Sequence, residues 1–445
     1  MAKRKKRTKR EQRGVALVAV MIAVALALVI VNEFGTTTNV DIEAAANYRD
    51  QMKAHFLARS ALNLSELILR IQQRLDNTST GSGSNASTLT AGGVRLTDFA
   101  DQMMLAFCGS PEEVQAAVGF NPSLAKGLGA DVGTCGIVGR FDTDDKLINV
   151  NCFNGKASNV SYAAAMLTWL MYFPAYDLVF NEPDSEGYRR DRDTQLYSIQ
   201  DYIDVDTMRG SQRGTTEDYG YESLKDPYKA KNTYIDTVGE VRLARGVDDR
   251  WWALFGSALT AYGGCKINVG ALDNPQIIAG ILAFSAKDPN DPMLANPQKL
   301  FALANLMAKA HQFGETFSST NEFAAFALDP QSTVSSIAST QQGTANGSAA
   351  GSAMAQGLPG LSSGEKLTLV LDKTKLGQIL TATPWRTYRV QAYGEIDRAQ
   401  KMADGSPVFP PIRSTYTGVW DMKIVPQNSR KTPVPKGAWV FLQED

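Results

Sequence analysis

The residues of this chain best suited to chemistry are five carboxylates lying close together. Asp201, Asp204, Asp206, Glu217 and Asp218 fall within eighteen residues, with a loop from Gly210 to Gly214 between the two groups. Calcium takes about six to eight oxygens, several of them carboxylates, from loops able to wrap it. The cluster supplies enough charge for such a site, although its spacing is not that of an EF-hand. The alternative is a solvated acidic turn between helices, with Asp201 facing water. Tyr219, Tyr221, Tyr228 and Tyr234 follow in the same block. They would either pack the ordered loop or present a carbohydrate or partner surface.

Other chemistries lack their residues. Two histidines, His55 and His311, stand far apart, so no Ser–His–Asp grouping assembles, and no Walker or Rossmann glycine run is present. The chain reads as a non-enzyme. Cys108, Cys135, Cys152 and Cys265 are too few for a disulfide scaffold and wrongly spaced for zinc. They allow three full pairings, and an exported domain would give them the compartment for at least one disulfide. Asn149 and Asn151 fit the satisfaction of backbone groups at a strand edge or turn. Trp251 and Trp252 fit core packing better than an exposed docking patch. KINVGALDNPQIIAGIL has a faint helix-hairpin-helix character, read here as structural.

The carboxylates need elements to hold them. Leu196, Ile199, Tyr202 and Ile203 make one face of a helix that ends where the cluster begins. A later helix over Val238–Leu243 runs into Arg245-Gly246, and another starts near Asn274-Pro275 with a plausible cap. Helices are also expected over 163–170 and 297–311, and in VRLTDFADQMMLAFCG, with a further one starting near Pro111. GIVGRF and KLINVNCF read as strands around an Asp-rich turn. After a nearly uncharged stretch at 331–364, LTLVL, RTYRVQAYGEIDR and TYTGVWDMKIV read as strands of an antiparallel sheet of three or four, joined by the pair at 136–153.

The N-terminus sets the compartment. Residues 1–14 carry eight Lys/Arg and Glu11, so the remainder of a chain of net charge −1 is close to −8. An acidic ectodomain argues against nucleic acid as a partner. Seventeen apolar residues, Val15–Val31, follow the basic leader. They lie near the lower bound for a bilayer span, and the leader's charge keeps it cytoplasmic. The helical pattern continues to Leu75, with Gly35 its one weak point, which predicts a rod of about 90 Å. Ala23, Ala25 and Ala27 lie inside the apolar run, so no secretory cleavage site follows it. A cut on the cytoplasmic side, between Gly14 and Val15, is the other option beside a permanent anchor.

RGVALVAVMIAVALALVIV resembles the leader junction of type IV pilins and type II secretion pseudopilins. It departs from their usual pattern at Ala19, where most members carry Glu. NYRDQMKAHFLARSALNL, DDKLINVNCF, the block IQDYIDVDTMRG to TVGEVRLARG, and KINVGALDNPQIIAGIL resemble the GspK family of large minor pseudopilins over nearly the whole chain. The resemblance implies an α+β pilin-like fold, a long N-terminal transmembrane helix plus an antiparallel sheet, with a large inserted all-helical domain. The expected divisions are a cleaved leader 1–14, a long helix 15–76 spanning the membrane at 15–31, and a first pilin-like part 77–154. An inserted helical domain with the calcium loop at 155–330, a linker 331–364 and the closing sheet 365–445 would follow.

The role implied is non-enzymatic. It is that of a tip subunit of the periplasmic pseudopilus, initiating or capping assembly and aiding export of folded proteins, anchored in the inner membrane. The implied partners are minor pseudopilins similar to GspI, GspJ and GspH, the prepilin peptidase acting at Gly14 and Val15, the secretin and secreted substrates. Ala19, Tyr48, Phe56 and Arg59 would line the contact with other subunits. The implied cofactor is calcium, with Asp204, Asp206, Glu217 and Asp218 ahead of Asp201. The rival readings are a tip pilin of a type IV pilus and a lone signal-anchored periplasmic binding protein.

Overall fold

The computed structural model describes residues 9–79, 95–108, 133–183, 187, 191–210, 216–222, 224–312, 317–330, 367–383, 385–397, 410–424 and 436–445. Helix α1 runs unbroken from Lys9 to Ser79, 71 residues, or about 105 Å. It meets no proline, and Gly35 does not interrupt it. Thr36, Thr37 and Thr38 return their hydroxyls to the carbonyls of Glu33 and Phe34 and so keep those donors paired. The apolar residues from Leu17 to Val31 are exposed throughout. This is a helix long and apolar enough to cross a membrane.

From Ala54 onward α1 acquires a buried stripe: Ala54, Ala58, Ala61, Ser65, Ile68 and Gln72. The steps of three and four residues place them on one helical face. That face packs on a four-stranded antiparallel sheet of order β1-β6-β7-β8. Its strands are β1 (Thr134–Ile137), β6 (Thr387–Ile396), β7 (Ile412–Asp421) and β8 (Ala438–Glu444). Strand alternation in β6 and β7 turns Tyr388, Val390, Ala392, Tyr416 and Trp420 into the core shared with α1. The small side chains of α1 let it approach closely, and Gly394 on β6 makes room. A Cβ there would lie 2.2 Å from the Ala54 carbonyl oxygen and 2.4 Å from the Ala58 nitrogen. Helix α2 (Ala100–Cys108) flanks this module and is tied to β1 by a Cys108–Cys135 disulfide.

Between β1 and β6 in sequence lies the inserted body. It contains β2 (Ile148–Asn149), α3 (Ala157–Met171), α4 (Asp177–Asn181), α5 (Arg192–Ile203), α6 (Asp249–Phe255) and β3 (Leu259–Thr260). There follow β4 (Ile267–Asn268), α7 (Pro275–Ser285), α8 (Pro292–Ala295), α9 (Pro297–Gln312), α10 (Thr320–Leu328), α11 (Lys373–Ile379) and β5 (Leu380–Thr381). One core unites them, centred on Leu167, Ile199, Trp251, Ile278, Leu303 and Phe323. Strands β2 and β3, and β4 and β5, form two short parallel pairs. A second disulfide, Cys152–Cys265, closes the body across 113 residues.

Two expected strands do not join the sheet. In KLINVNCF only Ile148 and Asn149 are extended. The Asn149 side chain then accepts from the Asn151 nitrogen and turns the chain into a 3-10 helix, Val150–Asn154. LTLVL is extended but packs Leu367, Leu369 and Leu371 into the helical core. Its backbone bonds run to Ala327 and Lys287, and the nitrogen of Asp372 just after it donates to the Ser285 carbonyl. The core of the body therefore takes in residues 148–153 and 367–380 beyond the expected 155–330. The helix expected near Pro111 and the stretch 331–364 lie outside the described residues.

A polar joint fixes the body to the sheet. Asp144, 1% exposed, accepts from both Nε and an Nη of Arg389 on β6, at 2.9 and 2.8 Å, and from the Thr260 hydroxyl at 2.6 Å. Asp145 beside it accepts from the backbone nitrogens of Arg386 and Thr387 and from the Thr387 hydroxyl. The Asp-rich turn read in the sequence is thus a clamp between the two modules, facing away from water.

Candidate metal centre

Helix α5 delivers two of the carboxylates. Asp191 caps it by accepting from the Thr194 nitrogen at 2.7 Å, and Leu196, Ile199, Tyr202 and Ile203 bury its apolar face. Burying that face carries the helix C-terminus into the body. Asp201, in the last turn, is 5% exposed, and Asp204, the C-cap, is 9% exposed. This is the negative end of the helix dipole, where a carboxylate is unfavourable and a cation favourable.

The chain then leaves and returns. Residues 211–215 are not described, but Met208 and Thr216 form an antiparallel bridge that brings Glu217 back. Glu217 opens a 3-10 helix, Glu217–Gly220, and is 5% exposed. One carboxylate oxygen each of Asp201, Asp204 and Glu217 lie within 4.8 Å of one another. Calcium bonds of about 2.4 Å span oxygens up to about 5 Å apart, so the three fit one ion.

Their hydrogen bonding is incomplete. Asp201 accepts from the Gly210 nitrogen at 3.0 Å, and Asp204 from Gln200 at 3.3 Å. Among the described residues, the second Asp204 oxygen and both Glu217 oxygens are buried without a hydrogen-bond partner. Burial, and then the charges of Asp204, Asp201 and Asp206, push the Glu217 carboxyl up to about 8. Burial, together with the charge of a neighbouring carboxylate, pushes Asp201 and Asp204 each up to about 6. Buried carboxylates with open lone pairs and no cation are costly. An all-oxygen donor set suits a hard ion such as calcium and not zinc.

The other two carboxylates are used elsewhere. Asp206 is exposed and accepts from the Met208 nitrogen at 2.8 Å. Asp218 accepts from the Ala230 nitrogen at 3.2 Å and has Lys229 at 3.8 Å. The structure therefore groups Asp201 with Asp204 and Glu217, and places Asp206 and Asp218 outside that trio. A nearby residue that spacing did not single out is Asn232. Its φ is 48°, and its side-chain nitrogen donates to the Asp206 carbonyl at 2.9 Å. A non-glycine residue in the left-handed region is not legible from sequence, although Asn is the type that tolerates it.

The tyrosines pack the loop. Tyr221 is buried against Tyr202 and Tyr228, and its hydroxyl accepts from the Arg245 nitrogen at 3.0 Å. Tyr228 donates to the Leu243 carbonyl at 2.6 Å, while Tyr234 is largely exposed. The Tyr219 side chain lies outside the described residues. Asn151 bonds the backbone of Ile235 and Ala261, and Trp251 is fully buried.

The remaining expected positions lie on α1. Gly14 and Val15 fall in its first turns, and Ala19, Tyr48, Phe56 and Arg59 are all exposed. Tyr48, Met52, Phe56, Leu67 and Ile71 make an exposed apolar stripe on the face away from the sheet.

Residues 184–264, which contain α5, the Glu217 turn and the tyrosines, match the family model described as Type II secretion system (T2SS), protein K. No curated protein matches the chain. Among solved structures, a chain of the GspK-GspI-GspJ complex from the enterotoxigenic Escherichia coli type 2 secretion system is similar, at 15% identity and a TM-score of 0.39. The match covers 70% of this chain and 80% of that one.

Proposed function

We propose for this chain, whose residues 184–264 match the family model described as Type II secretion system (T2SS), protein K, membership of that family and the role of a non-enzymatic minor pseudopilin at the pseudopilus tip. The single observation that carries the reading is that family match, because it covers the block holding the carboxylates and the tyrosine-packed loop. The form of the molecule supports it. An apolar helix whose residues from Leu17 to Val31 are exposed needs a membrane or neighbouring helices around it. The helical body and sheet lie at its far end. Ala19 lacks the carboxylate that a repeating shaft subunit would offer, which suits one copy at an end.

The partners proposed are small minor pseudopilins similar to GspI and GspJ, with one similar to GspH below them. They would meet the stripe running from Tyr48 through Phe56 beside Arg59. The prepilin peptidase would cut between Gly14 and Val15, and the tip would face the secretin and secreted proteins. The proposed location is the inner membrane, single-pass, with the body in the periplasm, moving to the pseudopilus tip on assembly. Calcium is the proposed cofactor, held by Asp201, Asp204 and Glu217. Bound there, the ion would neutralise their repulsion and hold the loop between them.

N-terminal sequencing of protein extracted from membranes tests the reading. The expected first residue is Val15. A chain starting at Met1 or Ala2, or within residues 24–35, would contradict it.

A further inference from the structure

The two edges of the sheet are built differently. Strand β1 at one edge has four residues, and its Cys135 is tied to α2 by a disulfide. Strand β8 at the other edge has seven, AWVFLQE, with no proline and no basic residue. Among the described residues, nothing pairs with its outer side. A long apolar edge without such protection is a template for another strand.

The register fixes which backbone groups that edge offers. Thr415 and Asp445 exchange both of their backbone hydrogen bonds, at 3.3 and 3.0 Å. Bonded and non-bonded pairs alternate along an antiparallel ladder. Glu444 opposite Tyr416, and Leu442 opposite Gly418, are therefore non-bonded pairs. Their N–H and C=O groups point away from β7. Their side chains share the α1 side of the sheet. A Cβ on Gly418 would lie 3.3 Å from a Leu442 methyl, and Leu442 is 50% exposed.

This end of β8 is held from both faces. Glu444 accepts from the Tyr416 hydroxyl at 3.0 Å and pairs with His55 of α1. On the other face the Phe441 ring lies 6.0 Å from that of Tyr262 in the helical body. A strand presented so firmly loses little freedom when it is paired. His55 is followed on α1 by Phe56, so the open edge borders the exposed stripe of Tyr48, Met52 and Phe56. A protein docked on that stripe meets the edge as well.

We propose that the outer edge of β8 at Leu442–Glu444 is a second part of the contact with a small minor pseudopilin. The partner adds an extended segment to the sheet there, bonding the Leu442 and Glu444 backbones and covering Leu442 with an apolar side chain. The inference rests on the minor-pseudopilin reading and adds backbone pairing to its α1 contact.

Leu442→Pro separates backbone pairing from side-chain contact. The Leu442 N–H serves no bond within the sheet, so proline is tolerated there as on other edge strands, yet it removes an outward donor. Wild type, Leu442→Pro and Leu442→Ala, each full length in detergent, are titrated with the small minor pseudopilins of the same secretion system. Amide exchange over residues 438–445 is followed with and without those partners. The inference predicts that Leu442→Pro melts as wild type does but binds about 10-fold more weakly, the scale of one lost backbone hydrogen bond. Leu442→Ala, which keeps the N–H, loses less. In wild type the Leu442 and Glu444 amides exchange quickly in the free chain and slowly in the complex, a readout that stands even if Leu442→Pro does not fold. If the complex forms while these amides exchange as in the free chain, or if both variants bind alike, the inference is overturned and the α1 contact stands. Protection in the free chain that grows with its concentration makes a second copy the occupant and overturns it too. If wild type binds none of the small pseudopilins, the tip reading falls, and the inference with it.

Discussion

Replacing Glu217 by Gln should move stability in opposite directions with and without calcium. Glu217 is 5% exposed, and its carboxyl is pushed from 4.5 up to about 8 by burial and by Asp204, Asp201 and Asp206. The folded state therefore holds this proton more tightly than the unfolded chain does. The resulting stability is fully present below about pH 4.5 and is lost as pH rises toward 8. Asp201 and Asp204, raised from 3.8 to about 6, add a loss of the same sign over the lower part of that range. Rises of this size correspond to an upper bound of about 5 kcal/mol for charging Glu217 at pH 8. Because the three groups share one repulsion, a few kcal/mol is the realistic scale. Glutamine removes the charge but leaves a buried amide to satisfy, which costs about 1–3 kcal/mol.

The net expectation at pH 8 in chelator is that Glu217→Gln is more stable than wild type by roughly 1–3 kcal/mol, or a few degrees in Tm. Near pH 5 this advantage should shrink or reverse. With calcium the order should invert at pH 8. Wild type gains about 2.7 kcal/mol when the ion stands at 100 times its Kd, and the variant loses most of that gain. Calorimetric melting of the full-length chain at pH 5 and pH 8, in chelator and in calcium, gives all four values. The reasoning is refuted if Glu217→Gln melts below wild type in chelator at pH 8, or if calcium raises both proteins equally.

Other predictions concern the joints that position the site. Asp144→Asn should cost about 2–3 kcal/mol in denaturant unfolding. That is less than a fully buried pair loses, because the Arg389 side chain is 37% exposed. A change below about 0.5 kcal/mol would show that the clamp contributes nothing beyond a surface pair. Gly394→Ala should force α1 off the sheet, since the added Cβ would meet backbone on the facing helix. The expected loss is about 2–3 kcal/mol, with faster amide exchange at Ala54–Ala58; unchanged exchange there would contradict the close packing.

The parts of this fold written in local pattern were legible. A long proline-free apolar run gave α1, i/i+3/i+4 spacing gave α5, and Asn274-Pro275 marked the start of α7, where the Asn side chain accepts from the Gln276 nitrogen. Alternation gave β6. What local pattern does not encode is which surface an extended run meets. LTLVL has the composition of a strand, but its leucines fill the helical core. The two-residue pairs β2–β3 and β4–β5 exist only because the body brings their ends together. Likewise, the spacing put five carboxylates in one neighbourhood but could not say which turn inward. Asp201 is drawn in because it shares the buried side of α5, whereas Asp206 and Asp218 are taken up by nearby backbone nitrogens.

The central claim is that this chain caps an assembly of small minor pseudopilins through the exposed face of α1. Its most direct test is co-expression of the full-length chain with the minor pseudopilins of the same secretion system, followed by affinity purification in detergent and native mass measurement. The account predicts a stable complex holding one copy of this chain, which is lost in a Tyr48→Lys, Phe56→Lys double variant whose body still melts as wild type. Recovery of the wild-type chain alone, or as a homopolymer repeating along its own length, would contradict it.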